Sequence, residues 1–367
     1  MIYFDHNATT AVDERVVEAM LPYITQLYGN PSGLYRLGRL ARSAIDTARE
    51  SVAALVNVSP AQVIFTSGGT EANNLAMQSS AGCFRVISAI EHPSIVEPVS
   101  DFSSLATIAV NSHGVIDSGI LETVIRNQQD MTCFASLMLA NNETGAIQNI
   151  NKIAESLRGE SVFLHTDAVQ AVGKTVVDFN ALGVDMMSLS SHKIYGPKGC
   201  GALIVKKQCD MRPLIVGGGQ ERGWRAGTEN VAAIVGFGKA AELARIELTQ
   251  RTAHCLQLRK KLEYELNTIS GLVIFSEQVE RLPNTIQFAI AGFDGEMLLM
   301  QLDMKNIAVS SGSACASGGR NASSVLLAMG VDDELAKGAI RVSLGKDNTE
   351  KEIEQFVVVL KTIVNER

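Results

Sequence analysis

Residues 63–74 read Val63-Ile64-Phe65-Thr66-Ser67-Gly68-Gly69-Thr70-Glu71-Ala72-Asn73-Asn74. The first four residues are typical of a buried strand, and the two glycines predict a tight turn that opens a helix. Strands joined by helical crossovers predict an α/β fold with a mostly parallel, doubly wound sheet. Similar apolar runs, separated by helix-length stretches, recur at residues 84–89, 133–139, 162–165, 186–189 and 201–205.

The second part of the chain predicts a smaller unit. Residues 232–269 carry apolar positions at helical spacing, which indicates one long helix or two that lead out of the first domain. Shorter strands at 285–289 and 339–344 follow, and a last helix begins at Thr349. We expect a large domain at residues 14–250 and a smaller α+β domain at residues 1–13 and 251–367.

Composition and charge narrow the classes of partner. The chain has 367 residues, of which 46% are hydrophobic and 19% charged, and its formal net charge is −7. This composition supports a large core, and the negative charge argues against nucleic acid as the main partner. No apolar stretch reaches the ~18 residues that span a bilayer. The first residues lack the basic and apolar regions of a signal peptide.

The six cysteines form no C-x-x-C pair and show no zinc-type spacing with histidine. We therefore expect reduced thiols, no metal centre, no disulfide framework and a cytoplasmic location. Cys315 differs from the other cysteines because it lies in Ser310-Ser311-Gly312-Ser313-Ala314-Cys315-Ala316-Ser317-Gly318-Gly319, a run of small residues. Such a segment buries little and its glycines leave the backbone broad freedom, so Cys315 is predicted to be a nucleophile on a tether.

Polar residues follow the predicted strands, at the edge where open α/β sheets bind ligands. The turn at residues 68–70 leaves free N–H groups at the positive end of a helix, which suits a phosphate. His92, after the run at 84–89, is placed to stack on a flat ring or to act as an acid or base. Asp167 could keep a pyridine nitrogen protonated, and Lys193, in a turn between two apolar runs, could form a Schiff base.

Each of these features has an ordinary explanation when taken singly. A capped glycine turn, a surface histidine, a turn at residues 141–145 and an aspartate at a helix N-terminus are all common. Together, a phosphate cradle, a ring stacker, an acid for a pyridine nitrogen and a lysine for an aldehyde are the parts that pyridoxal phosphate requires. We therefore favour a pyridoxal 5′-phosphate site.

The chain resembles the cysteine desulfurases of the NifS/IscS type, class V aminotransferase-like proteins within the fold type I pyridoxal-phosphate enzymes. The resemblance covers nearly the whole chain, and its last motif is typical of the group with the longer cysteine loop. It rests on residues 4–10 (FDHNATT), 29–32 (GNPS), 65–71 (FTSGGTE), 141–143 (NNE), 167–170 (DAVQ), 191–193 (SHK), 217–223 (GGGQERG) and 310–315 (SSGSAC).

The resemblance implies a fold type I transferase that works as a homodimer, with the catalytic cysteine loop on the smaller domain. It also implies the site residues. Lys193 would form the covalent bond to the cofactor and transfer protons at the substrate Cα, and His92 would stack on the ring and take part in catalysis. Asp167 would bind the pyridine nitrogen, and the phenolic oxygen would be bound by Gln170 and Asn142. The phosphate would be held by Gly69, Thr70, Ser190 and His192, and by Thr228 of the other subunit, whereas the substrate would be bound by Arg341, Asn30 and Asn142.

Arg341 has two explanations. Strand alternation places Arg341 and Ser343 on one face, opposite Ile340, Val342 and Leu344. The ordinary explanation is a solvated arginine on an outer face. The resemblance instead implies a guanidinium fork for the substrate α-carboxylate, a geometry to which arginine is suited.

The resemblance implies that the protein converts L-cysteine to L-alanine and leaves the sulfur on Cys315 as a persulfide. The expected partners are L-cysteine, a second subunit, and a sulfur acceptor or iron–sulfur scaffold protein. Three alternatives stay open: a selenocysteine lyase or other lyase of this fold, a class V aminotransferase that needs no Cys315, and a weakly active sulfur-relay partner. The sequence departs from the family at Tyr35, where many relatives carry histidine. It also departs at residues 318–324, which stand in place of an acidic, proline-containing stretch of the relatives. The identity of the sulfur acceptor therefore stays open.

Overall fold

The computed structural model describes residues 1–100, 102–128, 130–207, 209, 211–311 and 322–366. Cys315 and the rest of residues 312–321 lie outside the described residues. In the described part of the chain the strands are β1 (Ile2–Tyr3), β2 (Val63–Thr66), β3 (Phe84–Ser88), β4 (Leu105–Ile108), β5 (Cys133–Ser136), β6 (Val162–Asp167), β7 (Met186–Ser190), β8 (Gly201–Val205), β9 (Leu272–Ile274), β10 (Thr285–Ile290), β11 (Ile307–Ala308), β12 (Ser310–Ser311) and β13 (Ile340–Ser343). The α-helices are α1 (Glu14–Thr25), α2 (Arg36–Leu55), α3 (Gly69–Ser79), α4 (Pro93–Val96), α5 (Ser118–Arg126), α6 (Ile150–Ser156), α7 (Phe179–Leu182), α8 (Val231–Ile246), α9 (Leu248–Leu266), α10 (Gly295–Met304), α11 (Ser324–Ala328), α12 (Asp333–Lys337) and α13 (Glu350–Asn365).

A seven-stranded sheet forms the centre of the larger part of the molecule. Its strand order is β2–β8–β7–β6–β5–β3–β4, and only the two pairs that involve β8 are antiparallel. Because β8 opposes both of its neighbours, β2 runs in the same direction as β7. The carboxyl ends of the other six strands therefore lie at one edge. The predicted mostly parallel, doubly wound α/β sheet is confirmed.

Both faces of this sheet are covered by helices. Along β2, Val63 and Phe65 pack in one hydrophobic cluster with Ile45 of α2 and Phe237 of α8, whereas Ile64 packs with α3 in another. Successive side chains of a strand point to opposite faces. A strand in which both sets are buried lies between two layers of helices, and this is why its sequence is apolar throughout rather than alternating.

A four-stranded antiparallel sheet, β12–β13–β10–β9, forms the smaller part. Residues of α9, α10 and α13 supply its hydrophobic cluster, to which Ile2 and Phe4 also belong. β1 pairs in parallel with β11. The N-terminal segment thus contacts elements near the other end of the chain. The domain boundaries at residues 13/14 and 250/251 stay predictions, and α9 runs across the second of them.

The structure shortens one predicted strand, selects one of two expected helix arrangements and adds one strand. The run at 133–139 forms a strand only to Ser136; beyond it Leu137 and Leu139 still donate backbone hydrogen bonds to β6 as the chain approaches the next turn. The region 232–269 forms two helices, α8 and α9. β4 is not predicted, because it is a short edge strand whose side chains are mostly half-buried or exposed. Among the described residues, no helix combines the length and apolar character needed to cross a membrane.

Candidate active site

A cavity of about 200 Å³ opens at the carboxyl edge of the seven-stranded sheet. The polar clusters that follow β2, β3, β5, β6 and β7 all reach it, because parallel strands bring their ends to the same edge. Its wall contains nine of the predicted site residues: Gly69, Thr70, His92, Asn142, Asp167, Gln170, Ser190, His192 and Lys193.

Lys193 closes the 3₁₀ turn Ser191–Lys193, directly after β7. Its Nζ donates hydrogen bonds to the carbonyl oxygens of Asn7 at 2.5 Å and Ala8 at 2.8 Å. The N-terminal segment therefore positions the amine at the cavity wall, although it is remote from Lys193 in sequence.

Gln170 is oriented by a second lysine. Its Nε2 donates to the Asn7 carbonyl at 3.0 Å, and its Oε1 accepts from Lys174 Nζ at 2.7 Å. Because an ammonium group only donates, Lys174 fixes the Gln170 amide with its oxygen away from the nitrogen that faces Asn7. Burial, followed by the nearby Lys193 charge, lowers the pKa of Lys174 well below its usual value.

Asp167 and His92 also line the cavity. Asp167 Oδ1 accepts from the backbone N–H of Val169 at 2.9 Å, and Oδ2 accepts from Asn73 Nδ2 at 2.7 Å. Both oxygens thus accept hydrogen bonds, which hold the carboxyl group in one orientation. Burial lowers the pKa of His92, with Lys193 acting in the same direction and Asp167 opposing it. His92 and Asp167 thus lie on the same cavity wall, where both could contact a flat ring.

Another part of the cavity wall is suited to an anion. Helix α3 begins at Gly69 with unpaired N–H groups in its first turn, and a methyl group placed on Gly68 would meet no atom within 4 Å. Ser190 Oγ is buried and has no hydrogen-bond partner among the described residues. Burial, followed by Lys193, lowers the pKa of His192 to about 4.

Arg341 is only 4% exposed, so its explanation as a solvated arginine is wrong. Its Nη2 pairs with Asp5 Oδ1 at 2.6 Å, and its Nη1 donates to the carbonyl oxygen of Asn142 at 3.1 Å. Asn142 lines the cavity, so the guanidinium lies immediately beside it. The alternation along β13 is confirmed, because Ile340 and Val342 belong to the core cluster. The role of Arg341 in substrate binding stays a prediction.

Besides Arg341, two described residues among those predicted lie outside the cavity wall. Asn30 is exposed, and its Oδ1 accepts from the backbone N–H of Ser32 at 2.9 Å. Thr228 is exposed in a loop that an Arg225–Glu71 ion pair of 2.9 Å ties to the first turn of α3. Their roles stay predictions, as does that of Cys315, which the structure does not describe.

Sequence reasoning missed several residues that build the site. Asn73 lines the cavity, and among the described residues Asn7 accepts or donates seven hydrogen bonds that join Lys193, Gln170 and Lys174 to the smaller sheet. Asn7 lies in the motif at residues 4–10 and Asn73 in the stretch at residues 63–74, but no local pattern shows which distant groups they contact. Among the described residues, no cluster of His, Cys, Asp and Glu could hold a metal ion.

Comparison with known proteins agrees with this geometry. Residues 2–356 match the model of a protein family described as aminotransferase class-V. The chain belongs to this family. Its sequence is 40% identical to that of the cysteine desulfurase IscS of Dictyoglomus turgidum, over 99% of this chain and 94% of that protein.

Two solved structures extend the likeness of the class-V chain to three dimensions. A NifS-like protein from Rickettsia africae superposes with a TM-score of 0.94 at 37% identity, covering 100% of this chain and 99% of the other. SspA in complex with cysteine gives a TM-score of 0.82 at 30% identity, covering 95% and 100%. The fold is therefore that of the fold type I pyridoxal-phosphate enzymes.

Pyridoxal 5′-phosphate is the cofactor of this class-V enzyme, as of its relatives. The cavity fits it at both ends. The orphaned Ser190 hydroxyl and the open start of α3 offer donors for the phosphate. Asp167 offers a carboxylate for the pyridine nitrogen, and Lys193 an amine for the aldehyde, all on one wall.

Proposed function

We propose that this protein is a cysteine desulfurase that takes sulfur from L-cysteine, releases L-alanine and carries the sulfur on Cys315. The observation that supports it best is the convergence of Lys193, Asp167, His92 and the open start of α3 on one cavity. The likeness to desulfurases over nearly the whole chain selects this activity among pyridoxal-phosphate reactions.

The two ends of the segment that contains Cys315 support its role. On one side, Ser310 in β12 is paired with Arg341 across the strands. On the other, Ser323 Oγ donates to Glu143 Oε2 at 2.5 Å, and Glu143 follows the cavity residue Asn142 in sequence. Arg341 in turn donates to the carbonyl oxygen of Asn142. Both described ends of the segment are therefore connected to the region of the cavity residue Asn142.

Each residue of the wall has a defined task in this proposal. Lys193 holds the cofactor and moves protons at the substrate Cα, from the position that the Asn7 and Ala8 carbonyls give its Nζ. Asp167 keeps the pyridine nitrogen protonated, and His92 packs on the ring. The bound cofactor supplies an electron sink for charge that develops at the substrate carbons.

In the sulfur step the sulfur atom passes directly from the substrate to Cys315. The Cys315 thiolate attacks the sulfur of cysteine, an S–S bond forms, and the Cβ–S bond breaks. Cβ takes a proton and becomes the methyl group of alanine, so carbon is reduced while the two sulfurs are oxidised to a persulfide. No external oxidant or reductant is required. The attacking group must be deprotonated, as in other covalent catalysis by cysteine.

Arg341 binds the substrate carboxylate in this proposal. It is buried beside Asn142, and its Nε is buried with no hydrogen-bond partner among the described residues. A carboxylate from the substrate would satisfy this donor in a bidentate geometry. Asn30 is proposed to assist, although it is exposed in the single chain.

The direct test replaces Cys315 by serine and measures alanine production. Cys83→Ser is the matched control, because Cys83 is a half-buried free cysteine whose burial raises its pKa. We expect Cys315→Ser to abolish turnover while the absorbance of the bound cofactor persists, and Cys83→Ser to leave both unchanged. Alanine production by Cys315→Ser at the wild-type rate would refute the assignment.

We also propose a homodimer in which Thr228 completes the phosphate site of the other subunit. Thr228 is exposed outside its own cavity, and α1 with the following residues exposes Leu21, Tyr28 and Leu34, the last at 89%. Mixed dimers of Thr228→Ala and Lys193→Ala chains distinguish the arrangements. Contribution across subunits restores one intact site for each mixed dimer, whereas contribution within a chain restores none.

The acceptor of the sulfur is proposed to be a protein, such as an iron–sulfur scaffold, because relatives carry the name IscS. A cytoplasmic location is proposed as well, since Cys83, Cys133, Cys200, Cys209 and Cys255 carry free thiols. Incubation of sulfur-loaded protein with an apo-scaffold, followed by the mass of the scaffold, tests the first. Sulfur that stays on this chain in the presence of the scaffold would contradict it.

A further inference from the structure

Asn73 is a cavity residue to which no role has been assigned above. It lies in α3 and is 1% exposed. Its amide nitrogen carries two hydrogens, and both are donated: one to Asp167 Oδ2 at 2.7 Å and one to Ser94 Oγ at 2.9 Å. One side chain thus joins the end of β6 to the start of α4.

The orientation of this amide is set by chemistry. If the oxygen of Asn73 faced Asp167, two acceptors would lie 2.7 Å apart. A carboxylate only accepts, so the nitrogen must face it. In this orientation Asn73 Oδ1 is buried without a hydrogen-bond partner among the described residues. A buried acceptor in that state costs roughly 1–3 kcal/mol, which the two donated bonds must outweigh.

Ser94 passes the constraint to His92. Ser94 Oγ accepts from Asn73 and lies 2.7 Å from His92 Nδ1, and the backbone N–H of Ser94 donates to the same Nδ1 at 3.1 Å. A backbone N–H can only donate, so Nδ1 is an acceptor and carries no proton. The single hydroxyl proton of Ser94 then also points to Nδ1. His92 is therefore neutral, with its proton on Nε2.

We propose that Asn73 is a positioning residue that sets two cofactor contacts with one amide. Through Asp167 it holds the carboxylate that faces the pyridine nitrogen, and through Ser94 it fixes the tautomer of His92. The charged groups that act on His92 are Asp167 and Lys193. The inference about cofactor contacts rests on the proposed roles of Asp167 and His92, whereas the tautomer is a property of the chain alone.

The tautomer is measurable by nitrogen NMR on the cofactor-free protein labelled with ¹⁵N-histidine. Protonated and unprotonated ring nitrogens resonate in separate regions, and His92→Gln assigns the signals. We expect the proton of His92 on Nε2 in the wild type. We expect Asn73→Ala to lower the ratio of the two tautomers about fivefold, since the hydrogen bond lost is worth about 1 kcal/mol. A wild-type proton on Nδ1 would overturn the proposal.

Two further variants separate the two arms of Asn73. Ser94→Ala removes the His92 arm alone, so we expect a changed tautomer ratio and a smaller loss of affinity for pyridoxal phosphate than in Asn73→Ala. Asn73→Ala removes both, so the dissociation constant of the cofactor should also rise about tenfold or more, as for a lost bond to a charged group. Asn74→Ala is the matched control, because Asn74 is adjacent in α3 but donates only to the carbonyls of Thr70 and Ser94.

The outcomes are decisive without reference to sulfur chemistry. Asn73→Ala that matches Asn74→Ala in both tautomer ratio and cofactor affinity would refute the positioning role. If Asn73→Ala shows both effects while the protein makes no alanine from cysteine, the positioning role stands and the proposed desulfurase activity fails.

Discussion

The two sides of the cavity are built in different ways. The cofactor wall consists of residues that directly follow strands of one sheet, and its shape is a consequence of parallel strand order. The proposed substrate side consists of Arg341 on the smaller sheet, held by Asp5 and by the Asn142 carbonyl. Arg341 lies beside the cavity because the N-terminal segment and the turn after β5 both contact it.

This difference separates what is local from what is assembled. The cofactor wall depends on short motifs, each readable on its own. The proposed substrate side depends on contacts between distant residues, because Arg341 is 199 positions from Asn142 and 336 positions from Asp5. We therefore expect changes on the wall to affect cofactor binding, and changes on the substrate side to affect substrate affinity or sulfur transfer while the cofactor stays bound.

Lys193→Ala should have the largest effect. Loss of the amine removes covalent attachment and proton transfer together, so we expect alanine production to fall by a factor on the order of 10⁴. The absorbance of lysine-linked cofactor should disappear as well. Lys206→Ala, which removes an exposed ion pair with Asp185, should leave both unchanged. Retained lysine-linked absorbance in Lys193→Ala would place the covalent bond elsewhere.

Arg341→Lys tests the substrate side. An ammonium cannot bind a carboxylate in a bidentate manner, so we expect kcat/KM for cysteine to fall about 30-fold, equivalent to about 2 kcal/mol. The cofactor absorbance should not change. Arg126→Lys, at an exposed arginine paired with Glu160, is the control. A loss of cofactor binding in Arg341→Lys would erase the distinction between the two sides.

Glu91, which precedes His92 in sequence, makes the stability of the fold sensitive to pH. Burial raises the pKa of Glu91 to about 8 from an ordinary value of 4.5, while Ser88 Oγ and the Met138 N–H donate to its Oε1. Between these values the folded state binds the proton and the unfolded state does not. The free energy of unfolding should therefore fall as pH rises through this window, by about 3–5 kcal/mol in total.

Glu91→Gln keeps the acceptor but cannot ionise. The free energy of unfolding, measured with urea across this pH window, should change less with pH in the variant than in the wild type. Parallel curves for the two proteins would mean that Glu91 is ionised in the folded state.

Ser323→Ala should have the smallest effect and separates stability from sulfur transfer. Ser323 caps α11 and also donates to Glu143. Thr349 caps α13 with no such link to the site and is the matched control. Each alanine variant should lose about 1 kcal/mol of stability, but only Ser323→Ala should slow persulfide formation several-fold. Equal rates in both variants would show that this anchor does not position the cysteine segment.

Much of this site could be predicted from local sequence, and the reason is geometrical. Gly69, His92, Asp167 and Lys193 each follow an apolar run, and parallel strands bring such positions together. The strand ends thus predict the site without knowledge of the exact strand order. The edge strand β4 was not predicted because it lacks the continuous apolar character of the central strands.

The hydrogen-bond and ion-pair partners of several buried side chains could not be predicted, because they depend on how the core packs. The pairing of Arg341 with Asp5, the contact of Lys174 with Gln170 and the double donation by Asn73 have no signature in the residues around them. Each depends on side-chain orientations that only the assembled core determines.

The central claim is that the sulfur of cysteine passes to Cys315. A single turnover with one equivalent of ³⁴S-cysteine, followed by digestion without reductant and mass spectrometry, tests it most directly. The account predicts one heavy sulfur atom added to the peptide that contains Cys315, with one alanine released for each modified thiol. Alanine formed while that peptide stays unmodified, or heavy sulfur found on another cysteine, would contradict it.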